Sequence, residues 1–294
     1  MIEAVGAVPP EVRSTVSRTA PVFARSVRRA REAAARHGGS ARWFVLAAVG
    51  AELLAAVLVA VWGLGEKPLW ADEVDAVSVA RMPLDTIVQP SLSRQSNMVV
   101  YGVFLKVWRG VGGEGAAWLR APAAAMSIAA VPVAIMIGRR LGGVAVGLMA
   151  GALLTANGLW VRFAQENRPY ALTLLAATIG GWCLLRAVET GSWRWWACWS
   201  GAGALVVFGH PVAGAVVVSQ AVALLALGRS VPWRRAAVAI IAFGVLCMPQ
   251  LLLARQEPWQ DRVSLPPATP SRLRDVAGAL LGGSAARQLL LLFL

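Results

Sequence analysis

The chain has 294 residues, of which 57% are hydrophobic and 15% charged, and its formal net charge is +13. With a mean hydropathy of +0.62 it is too apolar for a water-soluble domain of this length, and it reads as an all-α, polytopic integral membrane protein. Basic residues flanking membrane spans account for the charge, so no nucleic-acid partner is expected.

Residues 1–42 carry eight arginines against three glutamates and no apolar run long enough to insert. They read as a basic cytoplasmic tail, retained because a cleavable signal would hold its apolar region nearer Met1. Residues 25–36 fit either an amphipathic helix on an anionic leaflet or a disordered stretch.

The first span covers residues 43–64, broken only by Glu52, and the tail before it places Asp72 outside. A long outer loop, 65–115, follows. Within it residues 97–111 are apolar but short and contain Lys106 and Arg109, so they predict an interfacial helix. If that segment crossed the bilayer, Asp72 and Glu73 would face away from the later motifs.

Further spans are expected at 116–137, 144–161, 170–187, 195–209, 212–227, 236–254 and from 276 to the end. That gives about eight within one transmembrane domain, 43–294. Gly209-His210-Pro211 separates two short spans, and arginines at 186 and 194 before the pair and at 229, 234 and 235 after it return both flanks to the cytoplasm. Cys183, Cys198 and Cys247 lie in apolar segments without metal-ligand spacing and read as buried thiols. Trp193, Trp195, Trp196 and Trp199 read as an interfacial belt on the cytoplasmic side.

This topology gathers Asp72-Glu73, Arg120, the run Gln165-Glu166-Asn167-Arg168-Pro169-Tyr170 and His210 on the outer face. Arginines matched to phosphate oxygens, beside carboxylates that handle a proton or a metal, suit a substrate with a phosphate head group and an apolar tail. Glu52 is an intramembrane carboxylate explained by protonation or pairing within the bundle.

The pattern Trp70-x-Asp72-Glu73, Tyr101, Leu119-Arg120-Ala121-Pro122, Gly138-Arg139-Arg140-Leu141-Gly142, Gln165-Glu166-x-Arg168-Pro169-Tyr170-Ala171-Leu172 and His210 resembles the GT-C membrane glycosyltransferases. The closest group is the bacterial enzymes related to dolichyl-phosphate-mannose protein mannosyltransferases and lipid A aminoarabinose transferases. The resemblance covers residues 43 to about 228. It implies a GT-C-like helix bundle in the cell membrane, with its active site outside, that moves a sugar from a polyprenyl-phosphate donor to a hydroxyl on protein, lipid or polysaccharide.

Carried onto this sequence, the resemblance makes Asp72 the base for the acceptor hydroxyl, with Glu73 supporting it or sharing a divalent ion. Arg120 and Arg168 would bind the donor phosphate and Glu166 would orient Arg168. Tyr170 is assigned to substrate or to interfacial anchoring, and His210 to the substrate site.

Two features depart from the family. Ser96-Asn97-Met98 stands where many relatives carry His-Pro-Pro, and the chain stops earlier than relatives do, at Leu289-Leu290-Leu291-Leu292-Phe293-Leu294. The competing expectations are a polytopic transporter or lipid flippase, and a catalytically inactive membrane fragment.

Overall fold

The computed structural model describes residues 40–88 and 99–254. The tail over residues 1–39, the Ser96-Asn97-Met98 stretch and the last expected span lie outside the described residues. Among the described residues all regular structure is helical: α1 (Ser40–Val61), α2 (Ala71–Arg81), α3 (Leu84–Val88), α4 (Val99–Gly112), α5 (Ala116–Gly142), α6 (Val144–Thr155), α7 (Gly158–Ala164), α8 (Tyr170–Thr190), α9 (Trp193–Gly209), α10 (Gly214–Leu227) and α11 (Trp233–Ala254). Single 3-10 turns precede and follow α10, at Pro211–Ala213 and Gly228–Ser230.

Four segments are long and apolar enough to cross a bilayer: Arg42–Val61, Ala116–Gly142, Tyr170–Thr190 and Pro211–Ser230. The α6–α7 pair makes a fifth if its two halves form one span. The sequence predicts an unbroken span there, but the chain bends by 64° between α6 and α7. The bend has a local cause. Asn157 caps α7 by accepting the Leu159 N–H at 2.9 Å, a role for which its short side chain is better suited than for a helix interior. Of the other expected spans, 195–209 forms a 17-residue helix and 236–254 lies within a 22-residue helix. Both lie outside the set of four or five.

The predicted interfacial segment forms α4, which has 14 residues and so reaches about 21 Å at 1.5 Å per residue, short of a hydrocarbon core of about 30 Å. It lies against α2 and α5. Trp108 and Trp118 stack with ring centres 4.3 Å apart, and each indole N–H donates to the other's backbone carbonyl, at 2.8 and 3.1 Å. This tethers α4 to the start of α5.

Small residues bring the long helices together. Ala56 and Ala60 of α1 pack with Ala124 and Val131 of α5, while Ala176 and Cys183 of α8 share a core with Trp196, Trp199 and Val206 of α9. A close crossing joins α5 to α6, where a methyl group on Gly147 would stand 2.7 Å from the Ile135 carbonyl oxygen. Close backbone approach is how membrane helices gain dispersion energy when lipid removes the hydrophobic drive between them. Large apolar side chains such as Leu54, Leu58, Leu153, Val218, Leu225, Ile241 and Val245 point outward and are exposed. Facing water such a surface would be costly, whereas in a bilayer it meets its natural solvent.

Candidate functional site

The site is built from the start of α2, the N-terminal part of α5 and the loop between α7 and α8. Glu73 lies in the first turn of α2 and its carboxylate reaches back to the Trp70 N–H at 3.2 Å, satisfying an amide that the helix start would leave unpaired. It is fully buried. Its Oε1 accepts from Arg120 Nε at 2.8 Å and from the Asn167 N–H at 2.7 Å, while Oε2 also accepts from Arg120 Nη2 at 2.6 Å. Burial by itself would raise the Glu73 carboxyl, but the Arg120 hydrogen bonds, the Asn167 and Trp70 amides and the Arg120 charge outweigh it and hold the group below its ordinary value of 4.5.

Arg120 is equally committed. Beyond its two bonds to Glu73, its Nη1 donates to the carbonyls of Leu64 and Lys67, both at 2.9 Å, and its Nη2 to that of Pro68 at 3.1 Å. A guanidinium has five N–H donors, and these contacts use all of them. The pair therefore pins residues 64–70 to α5 and to the α7–α8 loop.

That geometry corrects two sequence expectations. Arg120 has no donor left for a donor phosphate, and Glu73 has no exposed oxygen with which to share a metal. Both hold the site together.

Asp72 faces the other way. Its side chain is 42% exposed, and the Arg168 guanidinium stands 3.6 Å from its Oδ2 while donating to its backbone carbonyl at 3.1 Å. Arg168 also lies over the Tyr170 ring, 5.7 Å from its centre, and the Tyr170 and His210 rings are 5.7 Å apart. Burial, and then the Arg168 charge, depress the His210 imidazole below its ordinary 6.5, so it is neutral at pH 7.

Glu166 does not orient Arg168, as the sequence led us to expect. It pairs with Arg162 four residues earlier, at 2.6 Å, and the Arg162 guanidinium caps the Trp70 ring at 5.7 Å. The pair's four-residue spacing was visible in the sequence, but Glu166 lies past the end of α7, in the loop, and not on a helix surface. The pair's role in closing the site over Trp70 was not visible there.

Asn167 is a second residue that sequence reasoning left without a role. It is fully buried, bridging Glu73 through its backbone and Tyr101 through its side chain, whose Oδ1 accepts from the Tyr101 hydroxyl at 2.8 Å. The Tyr101 hydroxyl is pushed above its ordinary value of 10.0 by burial and by the nearby Glu73 charge, so it stays a neutral donor. Gln165 ties the same loop to the end of α1 by donating to the Val59 and Trp62 carbonyls at 2.9 and 3.0 Å.

Two cavities flank the cluster. One of about 420 Å³ is lined by Lys67, Trp70, Glu73, Arg120, Arg162 and Glu166 among others. The second, of about 340 Å³, is almost wholly apolar and runs past Phe163, Tyr170, Leu174, Ala177, His210 and Val216. Arg168 stands at the Tyr170 end of this groove. Among the described residues no cluster of three or more His, Cys, Asp or Glu forms a metal cage. Of the carboxylate pair, Glu73 is fully buried and the Asp72 side chain is 42% exposed.

All seven residues singled out from the sequence thus lie in one connected region: Glu73, Arg120 and Glu166 line the polar cavity, Tyr170 and His210 line the apolar groove, and Asp72 pairs with Arg168, which lies over Tyr170. No family model matches the chain, and neither a curated protein nor a solved structure matches it significantly.

Proposed function

We propose that this protein is a membrane glycosyltransferase of GT-C-like architecture, with about eight spans, that transfers a sugar from a polyprenyl-phosphate donor to a hydroxyl acceptor at the outer face of the cell membrane. The observation that carries the reading is the pairing of the half-exposed Asp72 with Arg168, 3.6 Å apart, with Arg168 lying over the Tyr170 ring that lines the apolar groove. A lipid-linked phosphate sugar has that same sequence of parts.

In this scheme the prenyl tail lies along the groove beside Leu174 and Ala177, with Tyr170 and His210 where tail meets head group. Arg168 binds the phosphate. Asp72 takes the proton from the acceptor hydroxyl as its oxygen forms a bond to the anomeric carbon, and the bond from that carbon to the phosphate oxygen breaks. The electron pair leaves with the lipid phosphate, whose charge Arg168 stabilises from a fixed position. Neutral His210 serves as a hydrogen-bonding partner rather than a second cation. A divalent ion, where the reaction uses one, would neutralise phosphate charge from the Asp72 side.

Transfer of radiolabelled sugar by the purified chain in liposomes, offered a panel of polyprenyl-phosphate sugars with peptide, lipid and polysaccharide acceptors, tests the proposal. Arg168→Gln should raise the donor concentration needed for half-maximal rate and lower the maximal rate. Gradient-driven movement of a solute or lipid across the liposome membrane, with no sugar transferred from any donor, would replace the proposal with the carrier reading.

A further inference from the structure

The opposite end of the bundle holds a further cavity that the proposed reaction does not use. Arg120 and Arg139 both lie on α5, nineteen residues apart, so this cavity is roughly 28 Å from the site along the helix. It has a volume of about 520 Å³ and lies where α5 ends, α6 begins and α8 passes, lined by Met136, Arg139, Arg140, Gly143, Val144 and Trp182.

Its chemistry is divided by wall. Met136, Val144 and Trp182 give it apolar sides, while Arg139 and Arg140 are exposed at the end of α5. Arg140 pairs with Glu189, and Arg186 pairs with the same carboxylate at 2.9 Å. Two arginines therefore share one carboxylate, and with Arg139 beside them the cluster of three arginines and one glutamate carries an excess of two positive charges. Arg186 also lies between the Trp182 and Trp195 rings, at 5.9 and 5.7 Å. The first turn of α6 starts in the cavity at Val144, capped by Gly143 with φ at +88° and without a side-chain cap, so its outward amides add a positive dipole end to the two guanidinia.

From this arrangement we propose that the cavity binds the phosphate head group of an anionic glycerophospholipid. Arg139 and Arg140 hold the phosphate, Trp182 lies at the level of the glycerol and ester groups, and Met136 and Val144 meet the first acyl carbons. A phosphate ion would engage the arginines and leave the apolar walls unused. A lipid engages both, and the position at the end of a membrane-crossing helix delivers it there. Arg229 and Arg234 are further basic residues beside helix ends but do not line the cavity, which makes them a control for charge alone.

Native mass spectrometry of the full chain released from neutral detergent, after titration with phosphatidylglycerol, phosphatidylcholine or inorganic phosphate, tests the assignment. Phosphatidylglycerol should be retained in preference to phosphatidylcholine. The double variant Arg139→Gln, Arg140→Gln should weaken that retention by about tenfold or more, as loss of two charge-assisted contacts demands, while Arg229→Gln, Arg234→Gln leaves it near the wild-type level. Val144→Trp fills the cavity without removing charge and should also lose the lipid. Equal loss in both double-arginine variants, retention in Val144→Trp, or inorganic phosphate binding as tightly as phosphatidylglycerol would overturn the proposal.

Discussion

Asp72 and Glu73 are neighbours in sequence and divide the work between them. Glu73, with 0% exposure, neutralises a buried guanidinium, so Glu73→Gln leaves Arg120 uncompensated and should destabilise the protein by about 3–5 kcal/mol, measured as a lowered denaturation midpoint in detergent. The same residue gives the fold an acid limit. Because its folded pKa lies below the ordinary 4.5, its contribution is fully present above that value and is lost as pH falls through the folded pKa. Thermal unfolding recorded from pH 7 down to pH 3 should show the wild type losing stability below about pH 4.5 more steeply than Glu73→Gln, which has no carboxylate there to titrate. The sequence made the carboxylate pair legible as a candidate but not the division within it. Which member is buried depends on Arg120 and Asn167, 47 and 94 residues further on. No local pattern reports such contacts.

At the level of elements, helix positions were mostly legible because long apolar runs declare themselves, and α1, α5 and α8 fall where hydropathy places them. The short α4 was also readable, since 14 residues cannot span a bilayer. The break between α6 and α7 was hidden because Asn157 and Gly158 are two residues in an otherwise apolar run, and a single cap outweighs average hydropathy. That break shapes the proposed site, for α7 beyond it brings Gly158, Val161 and Arg162 to the wall of the polar cavity. The α5–α6 crossing that supports it can be tested alone. Gly147→Ala puts a methyl group 2.7 Å from a backbone oxygen that cannot rotate away, and overpacking of this kind should cost about 1–3 kcal/mol, read as lower thermal stability.

Over the whole molecule, the Asp72, Glu73, Arg120 and Arg168 cluster lies at one end of α5, and Arg139 and Arg140, with Arg186 and Glu189, lie at the other. This polarity was legible from the order of the charges, and the contact between Glu73 and Arg120 agrees with it: an odd number of crossings between α2 and α5 would have put the two at opposite ends. Which end faces outward is a separate matter, and the account puts Asp72 outside. Single cysteines at Ser78 and Ser230, in a background with Cys183, Cys198 and Cys247 replaced by serine or alanine, should react with a membrane-impermeant maleimide in intact cells at position 78 only. Labelling at 230 alone would reverse the orientation.

The most direct measurement on the central claim compares wild type with Asp72→Asn, purified and reconstituted side by side, for both donor binding and sugar transfer. The Asp72 side chain is 42% exposed, and Arg168 keeps its hydrogen bond to the backbone carbonyl of residue 72, so the variant should fold, keep its affinity for the polyprenyl-phosphate sugar, and lose transfer by about 10² to 10⁴, the usual worth of a general base. An Asp72→Asn protein that transfers sugar at the wild-type rate would contradict the account.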